Sequence, residues 1–193
     1  SPPARRRRAQ AGTVTPFPLI DDLPAVELQA LCLDGEVYRL GAAHVPIAVA
    51  SGPATRAAAA LGAPSPRLIA ALGTAAWVWG AAPHPPACGE YLVDLAARWR
   101  PPFGGGMVVI ESQLREGDVQ RFGHAAVTGP LRTALDLARF RTDFDERDAA
   151  AVRRLAERGR FDAERAVREL NRGRNLAGKR VAARRLRDAL SPS

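Results

Sequence analysis

Val127-Thr128-Gly129-Pro130-Leu131-Arg132-Thr133-Ala134-Leu135-Asp136-Leu137-Ala138 reads as the place where a strand turns into a helix. Residues Val119–Val127 make a strand candidate that runs up to it. Beyond it, the pattern from Leu131 to Phe140 predicts a helix, with Thr128 as its cap and Pro130 near the first turn, where a missing N–H costs nothing. Arg132 and Asp136 stand four apart, the separation at which two side chains on one helix face form an ion pair. Thr128, Pro130, Arg132, Thr133 and Asp136 are therefore expected to form a structural clamp at the junction, and the chain is expected to be α+β.

Working outward, Tyr91–Leu95 and Met107–Glu111 are further strand candidates. Gly104-Gly105-Gly106 between them reads as a flexible hairpin tip, which predicts a short antiparallel sheet. Upstream, Ser65-Pro66 offers an N-cap and a first-position proline for a helix on which Leu68, Ile69, Leu72, Ala76 and Trp79 recur at helical spacing. Gly80 and His84-Pro85-Pro86 end it, and Pro53–Leu61 forms an Ala-rich helix before it. Nearer the start, Pro16 and Pro18 confine any helix to a short piece around Leu19–Leu23. Pro24 then sits in the first turn of a helix over Ala25–Leu33, with Val26, Leu28, Leu31 and Cys32 as its buried side and Gly35 as its stop. Glu36–Leu40, Gly41 and His44–Val49 read as a β-hairpin. Short helix, helix, hairpin is the order of a winged helix-turn-helix. After Phe140 the pattern is helical near 145–158, 162–171 and 177–190, broken at Gly159 and Gly173. The expected organisation is a flexible basic arm over 1–12, a winged-helix-like module over 13–50, and an α/β domain with C-terminal helices over 51–193.

The net charge of +8 is segregated. Arg5, Arg6, Arg7 and Arg8 contribute +4 and residues 139–190 contribute +7, whereas residues 9–138 carry −3. A weakly acidic body between two basic ends is the footprint of an anionic partner, most often nucleic acid. The chain uses 27 Arg and a single Lys, Lys179, alongside heavy Ala and Pro use. That bias looks like GC-rich codon choice, so arginine identity says less here than arginine charge. In the last helical stretch Arg180, Arg184 and Arg187 fall at i, i+4 and i+7 as one basic stripe, with Val181, Leu186, Leu190, Ala182 and Ala189 on the apolar side. Arg172, Arg174, Lys179 and Arg185 are expected to thicken the patch.

Sites for catalysis are not legible. The glycine triplet lacks G-x-G-x-x-G spacing and opens no helix, and there is no P-loop. His84 and Cys88 supply two ligands where zinc needs three or four, and His44 and His124 are isolated. Ser51, Ser65 and Ser112 have no nucleophile context. Asp94 with Glu111 and Gln113, on adjacent strands, gives a faint nuclease-like carboxylate pair without the lysine such a site uses. No enzyme activity, metal or cofactor is expected. Apolar stretches fall short of a membrane span, Arg5–Arg8 lead into no long apolar segment of a secretory signal, and two cysteines fit a reduced cytoplasmic compartment.

The V-T-x-P-x-R-T-x-x-D-x-A pattern of residues 127–138 resembles a strand-to-helix motif of AbiEi-type antitoxins, members of type IV toxin–antitoxin systems often described as transcriptional regulators in actinobacteria. Weaker matches follow in order: Gly12-Thr13-Val14-Thr15 through Gly35–Leu40 is similar to the winged-helix segment and its wing, Leu72–Gly80 to a core helix, and Arg172-Gly173-Arg174 through Leu190 to the terminal helix. The resemblance spans about residues 12–190. It implies a winged-helix module followed by an antitoxin domain, a protein that binds promoter DNA, and a nucleotidyltransferase toxin as partner. One departure matters. The helix that would read the major groove, Ala25–Leu33, has Glu27 and no Arg or Lys, is flanked by Asp21, Asp22 and Asp34, and offers only Gln29 as an amide. DNA contacts are therefore expected from Arg5–Arg8, Gln29, Arg39 in the wing, and Arg180, Arg184 and Arg187. Two alternatives stand beside this: a protein-interaction module of antitoxin ancestry that leaves DNA alone, and a nuclease-like enzyme.

Overall fold

The structure, a computed structural model, describes residues 19–20, 22–62, 67–97, 106–173 and 178–191. It is α+β. Helix α1 (Ala25–Leu33) leads into a hairpin of β1 (Val37–Leu40) and β2 (Ala43–Pro46), followed by α2 (Pro53–Leu61). A second sheet contains β3 (Ile69–Ala70), β4 (Gly89–Asp94), β5 (Met107–Ser112), β6 (Val119–Phe122) and β7 (Ala125–Thr128). Helix α3 (Leu72–Val78) is inserted after β3. The chain then continues as α4 (Pro130–Phe140), α5 (Glu146–Gly159), α6 (Ala163–Arg172) and α7 (Lys179–Leu190). No helix among the described residues is long and apolar enough to cross a membrane.

The larger sheet has the order β5-β4-β3-β7-β6 and is mixed, not antiparallel. β4–β5 and β3–β7 run parallel, while β3–β4 and β6–β7 run antiparallel. Parallel neighbours need a crossover, so the glycine triplet cannot be a hairpin tip joining β4 to β5; Gly104 and Gly105 themselves lie outside the described residues. The strand expected over Val119–Val127 is two strands. Phe122 faces Ala125 across a two-residue loop in which Gly123 alone has positive φ (+61°), the signature of a type II′ hairpin turn. The β1–β2 loop has the same form, with Gly41 at φ +64° between Leu40 and Ala43. A Cβ there would lie 3.4 Å from the Trp77 ring, so this glycine also lets the hairpin tip approach α3.

The helix expected to follow Ser65-Pro66 begins later. Ile69 and Ala70 form the central strand, and Leu72 opens α3 with φ +45°. Ser65 and Pro66 lie outside the described residues. The misreading has a physical origin: this segment is buried on every side, and an apolar run without a polar face does not distinguish strand from helix. The sharp turn is held because Ala71 N–H donates to the Glu90 carbonyl and Gly73 N–H donates to Glu90 Oε2 at 2.6 Å.

Helix α4 is the central pillar. Residues 133–138 are all buried, and α3, α5, α6 and α7 pack around it. Leu137, Leu155, Leu170 and Leu186, from four different helices, are almost fully enclosed, and Leu92 brings β4 into the same core. Truncation of any one of these to Ala is expected to cost about 2–5 kcal/mol. The caps of α5 and α6 are aspartates: Asp145 accepts from the N–H groups of Arg147 and Asp148, and Asp162 accepts from that of Arg165.

The N-terminal part departs from expectation. Leu19, Ile20, Asp22 and Leu23 are not helical, and Ile20 N–H donates to the His44 carbonyl at the edge of β2. Of the side chains expected to bury α1, only Leu28 does so. Leu31 and Cys32 are half-buried, and Val26 is 79% exposed. Among the described residues, the helix–helix–hairpin order expected of a winged helix is not seen: the single helix α1 precedes the β1–β2 hairpin.

Candidate functional site

At the β7–α4 junction, Gly129 rather than Thr128 is the N-cap residue, and Pro130 occupies the first turn. The Thr128 hydroxyl is taken up by the Thr133 hydroxyl at 2.7 Å, and Thr133 Oγ1 lies 2.9 Å from the Gly129 carbonyl. The Thr128 carbonyl accepts from the indole of Trp79 at 2.8 Å. The Gly129 N–H donates to the Asp118 carbonyl at 2.8 Å, so this buried turn finds its partners within itself, at Trp79 and just ahead of β6, which suits a structural clamp.

Arg132 and Asp136 form the expected pair, Nε to Oδ2 at 2.7 Å. The guanidinium reaches further than the sequence suggested. It donates to Asp118 Oδ2 at 2.5 Å, to Ser112 Oγ at 2.7 Å and to the Gln113 carbonyl at 3.2 Å, fastening the ends of β5 and β6 to α4. Asp136 has no exposed surface, and burial outweighs the neighbouring arginines, so its carboxyl is pushed up to about 6. Burial likewise pulls the Arg139 guanidinium down. Among the described residues, Asp136 Oδ1 has no hydrogen-bond partner, and Arg139 Nη1 is 3.8 Å from it, too far for a direct bond. These groups line a cleft of about 180 Å³ together with Arg115, Asp118 and Glu169.

The expected basic platform is smaller than the charge count implied. Arg172 pairs with Glu169, and Lys179 donates to the carbonyls of Asn171 and Gly173 at the end of α6. Arg185 points inward, its guanidinium bonded to the carbonyls of Ala138, Arg141 and Thr142. It stabilises the C-terminal end of α4, whose unpaired carbonyls attract cations. Arg174 lies outside the described residues. What remains is the stripe itself: Arg180, Arg184 and Arg187 are exposed, and among the described residues none of them is in an ion pair.

The other expected contacts are dispersed. Gln29 on α1 and Arg39 on β1 are exposed, and α1 rests mainly on β1. Arg5, Arg6, Arg7 and Arg8 lie outside the described residues. Around Gln29, α1 presents Val26 and Leu33, 79% and 81% exposed, in a setting of Asp22, Glu27, Asp34 and Glu36. Such a surface does not complement phosphate. Asp94 and Glu111 do not converge either. Val93 is registered with Glu111 and Asp94 with Ser112, so the two carboxylates project from opposite faces of the sheet.

Two groups of residues escaped the sequence reading. Glu90 is buried and bonded to Arg141, which also reaches Asp148 at 3.2 Å. Arg56, Arg154 and Arg158 gather at the end of α3 around Gly80. The i, i+4 spacing of Arg154 and Arg158 was visible, but nothing local linked it to Arg56 or Gly80, which are distant in the chain.

No protein-family model matches the chain, and a search of curated proteins likewise returns no match.

Proposed function

We propose that this chain is a non-enzymatic, antitoxin-like transcriptional regulator of the cytoplasm that binds DNA through its C-terminal helix. The observation that carries this is the un-neutralised stripe of Arg180, Arg184 and Arg187 on α7. Most other arginines of the helical half are held by a carboxylate or a backbone carbonyl, so this stripe is a surplus that folding does not use. Such a stripe supplies phosphate contacts that position a duplex without reading its sequence. The N-terminal helix and ribbon are taken as a reduced winged helix. Its reading helix has lost the side chains that contact bases, and so binding is only weakly sequence-specific. The test is the salt dependence of binding to duplex DNA. Replacing all three arginines by Gln is expected to flatten the slope of log K against log salt by about 3. An unchanged slope removes α7 from the interface.

A second reading is favoured by α1. Its exposed Val26 and Leu33 amid carboxylates suit a basic, partly apolar protein surface, as expected for a module of antitoxin ancestry that docks a nucleotidyltransferase toxin. Partner capture that survives loss of the α7 arginines and fails on Leu33→Glu supports this reading.

A further inference from the structure

Helix α1 is apolar on two sides, and the fold covers one of them. Leu28 is buried, and Leu31 and Cys32 are half-buried on the same side. On the opposite side Val26, Ala30 and Leu33, at i, i+4 and i+7, form one exposed row. Glu27 and Asp34 make a second exposed row directly beside it. Leu23 extends the apolar surface ahead of the helix, and Ile47, whose N–H donates to the Glu36 carbonyl at 2.8 Å, extends it past the end. Four of the seven large apolar side chains exposed among the described residues (Leu23, Val26, Leu33 and Ile47) belong to this module, which makes a patch and not a scatter. A helix that is apolar all round is ordinarily enclosed all round, so the outer row of α1 is a face in want of a partner.

The chain carries the complementary surface itself. On α7, Arg180, Arg184 and Arg187 repeat the i, i+4, i+7 spacing of Val26, Ala30 and Leu33. Val181, 45% exposed, stands in the row beside them, and Asp188 is the one carboxylate there, at the C-terminal end. An α-helix rises about 1.5 Å per residue, so Glu27 to Asp34 and Arg180 to Arg187 each span about 10.5 Å. When two helices lie parallel and face to face, the right-hand row of one meets the left-hand row of the other. That sets the carboxylate row of α1 on the arginine row of α7 and brings Val26 to Val181, with the arginine stems adding apolar cover. Laid antiparallel, the same helices would set the arginines on the apolar row and leave the carboxylates without cations. Charge and apolar surface therefore match in one orientation. Among the described residues, no ion pair joins the two helices within one chain.

We propose that α1 of one copy docks in parallel on α7 of a second copy, so that the chain self-associates through two different faces of the same molecule. The contact does not depend on DNA binding by α7, and it is read without nucleic acid, so the two ideas fail separately. Two short helix faces make a small interface, and a reversible, salt-sensitive association with a Kd on the order of 10–100 μM is expected. The test is sedimentation velocity of the full chain across a concentration series at low salt. Reversing α1 by Glu27→Arg with Asp34→Arg gives a chain with two basic faces, and reversing α7 by Arg180→Glu, Arg184→Glu and Arg187→Glu gives one with two acidic faces. Each alone is expected to stay at the monomer mass. Mixed in equal amounts they are expected to associate again, because the reversed α1 meets the reversed α7. Leu33→Glu is expected to raise Kd about tenfold or more, whereas Arg121→Gln, at an exposed arginine of β6, leaves it unchanged. Among single reversals, Glu27→Arg is expected to be rescued by Arg180→Glu better than by Arg187→Glu, and the opposite ranking overturns the parallel orientation. These side chains are exposed, and thermal melts of each variant establish that it is folded. A wild-type chain that stays monomeric up to about 300 μM overturns the proposal and leaves the α1 face to a different partner. Association that persists in both reversed chains, or that mixing does not restore, overturns the pairing of α1 with α7.

Discussion

Arg141 meets Glu90 with both terminal nitrogens, at 2.5 and 3.0 Å, and so ties the C-terminal end of α4 to β4. Glu90 Oε2 also accepts the Gly73 N–H, and a Cβ at Gly73 would come within 2.7 Å of that oxygen and 2.8 Å of Arg141 Nη2. Glu90→Ala is expected to lower unfolding free energy by roughly 2–4 kcal/mol, because it leaves Arg141 with Asp148 alone and the Gly73 N–H without its acceptor. Gly73→Ala is expected to cost a similar amount by forcing the pair apart. Urea denaturation checks both, and a loss below about 0.5 kcal/mol in either variant removes the pair from the fold's supports.

Asp136 gives the fold an unusual pH response. Its folded-state value of about 6 lies above that of the unfolded carboxyl, so the native state holds the proton more tightly. The contribution is therefore complete below about pH 4 and is lost as pH rises through 6, on the order of 2–3 kcal/mol. Carbon-detected NMR of the Asp136 carboxyl is expected to give a midpoint near 6. Asp136→Asn is expected to abolish the fall in stability across that window; a fall of equal size in the Asn variant assigns it to other groups.

On α7, neighbouring arginines are expected to separate cleanly by role. The triple replacement of Arg180, Arg184 and Arg187 by Gln is expected to keep stability within about 0.5 kcal/mol while weakening DNA binding. Arg185→Ala is expected to do the reverse, costing about 1–3 kcal/mol through the stranded carbonyls of α4 with little change in the salt slope. Thermal melts and gel shifts on the same two proteins decide it.

Helix α1 offers a similar contrast. Leu28→Ala is expected to cost about 2 kcal/mol or more, since Leu28 is the buried anchor of the helix, whereas Val26→Glu leaves stability nearly unchanged. If Val26→Glu instead unfolds the N-terminal part, the exposed position of that side chain is wrong.

Apart from α3 and the piece expected around Leu19–Leu23, the helices were legible because their punctuation is local. Pro130, Gly35, Gly159 and Gly173 mark boundaries that the structure places within a residue or two, and the hairpin after Gly35 follows from alternation around Gly41. The mixed sheet was not legible. Strand β3 is two residues long and enclosed on both faces, so it has neither length nor alternation to announce it. The split of β6 from β7 at Gly123-His124 has a local mark in the residues, a glycine inside a strand pattern. At the candidate sites, charge spacing located the α7 stripe and the Arg132–Asp136 pair. Spacing could not reveal that Arg185 turns inward, because that depends on where the carbonyls of α4 end. The Arg56–Arg158 approach depends on contacts spanning about a hundred residues and has no local signature.

The brevity of β3 governs how the sheet can come apart. Among the described residues, Ile69 and Ala70, continued on the β4 side by the Ala71 N–H on the Glu90 carbonyl, provide the rungs that join the β4–β5 ribbon to the β7–β6 ribbon. Breaking them severs the sheet into two ribbons, neither of which retains a shared interior, so the centre of the sheet has no means of breathing in part. The amides of this dipeptide are thus placed to exchange with solvent only when the whole fold gives way, and they serve as a built-in gauge of its global stability.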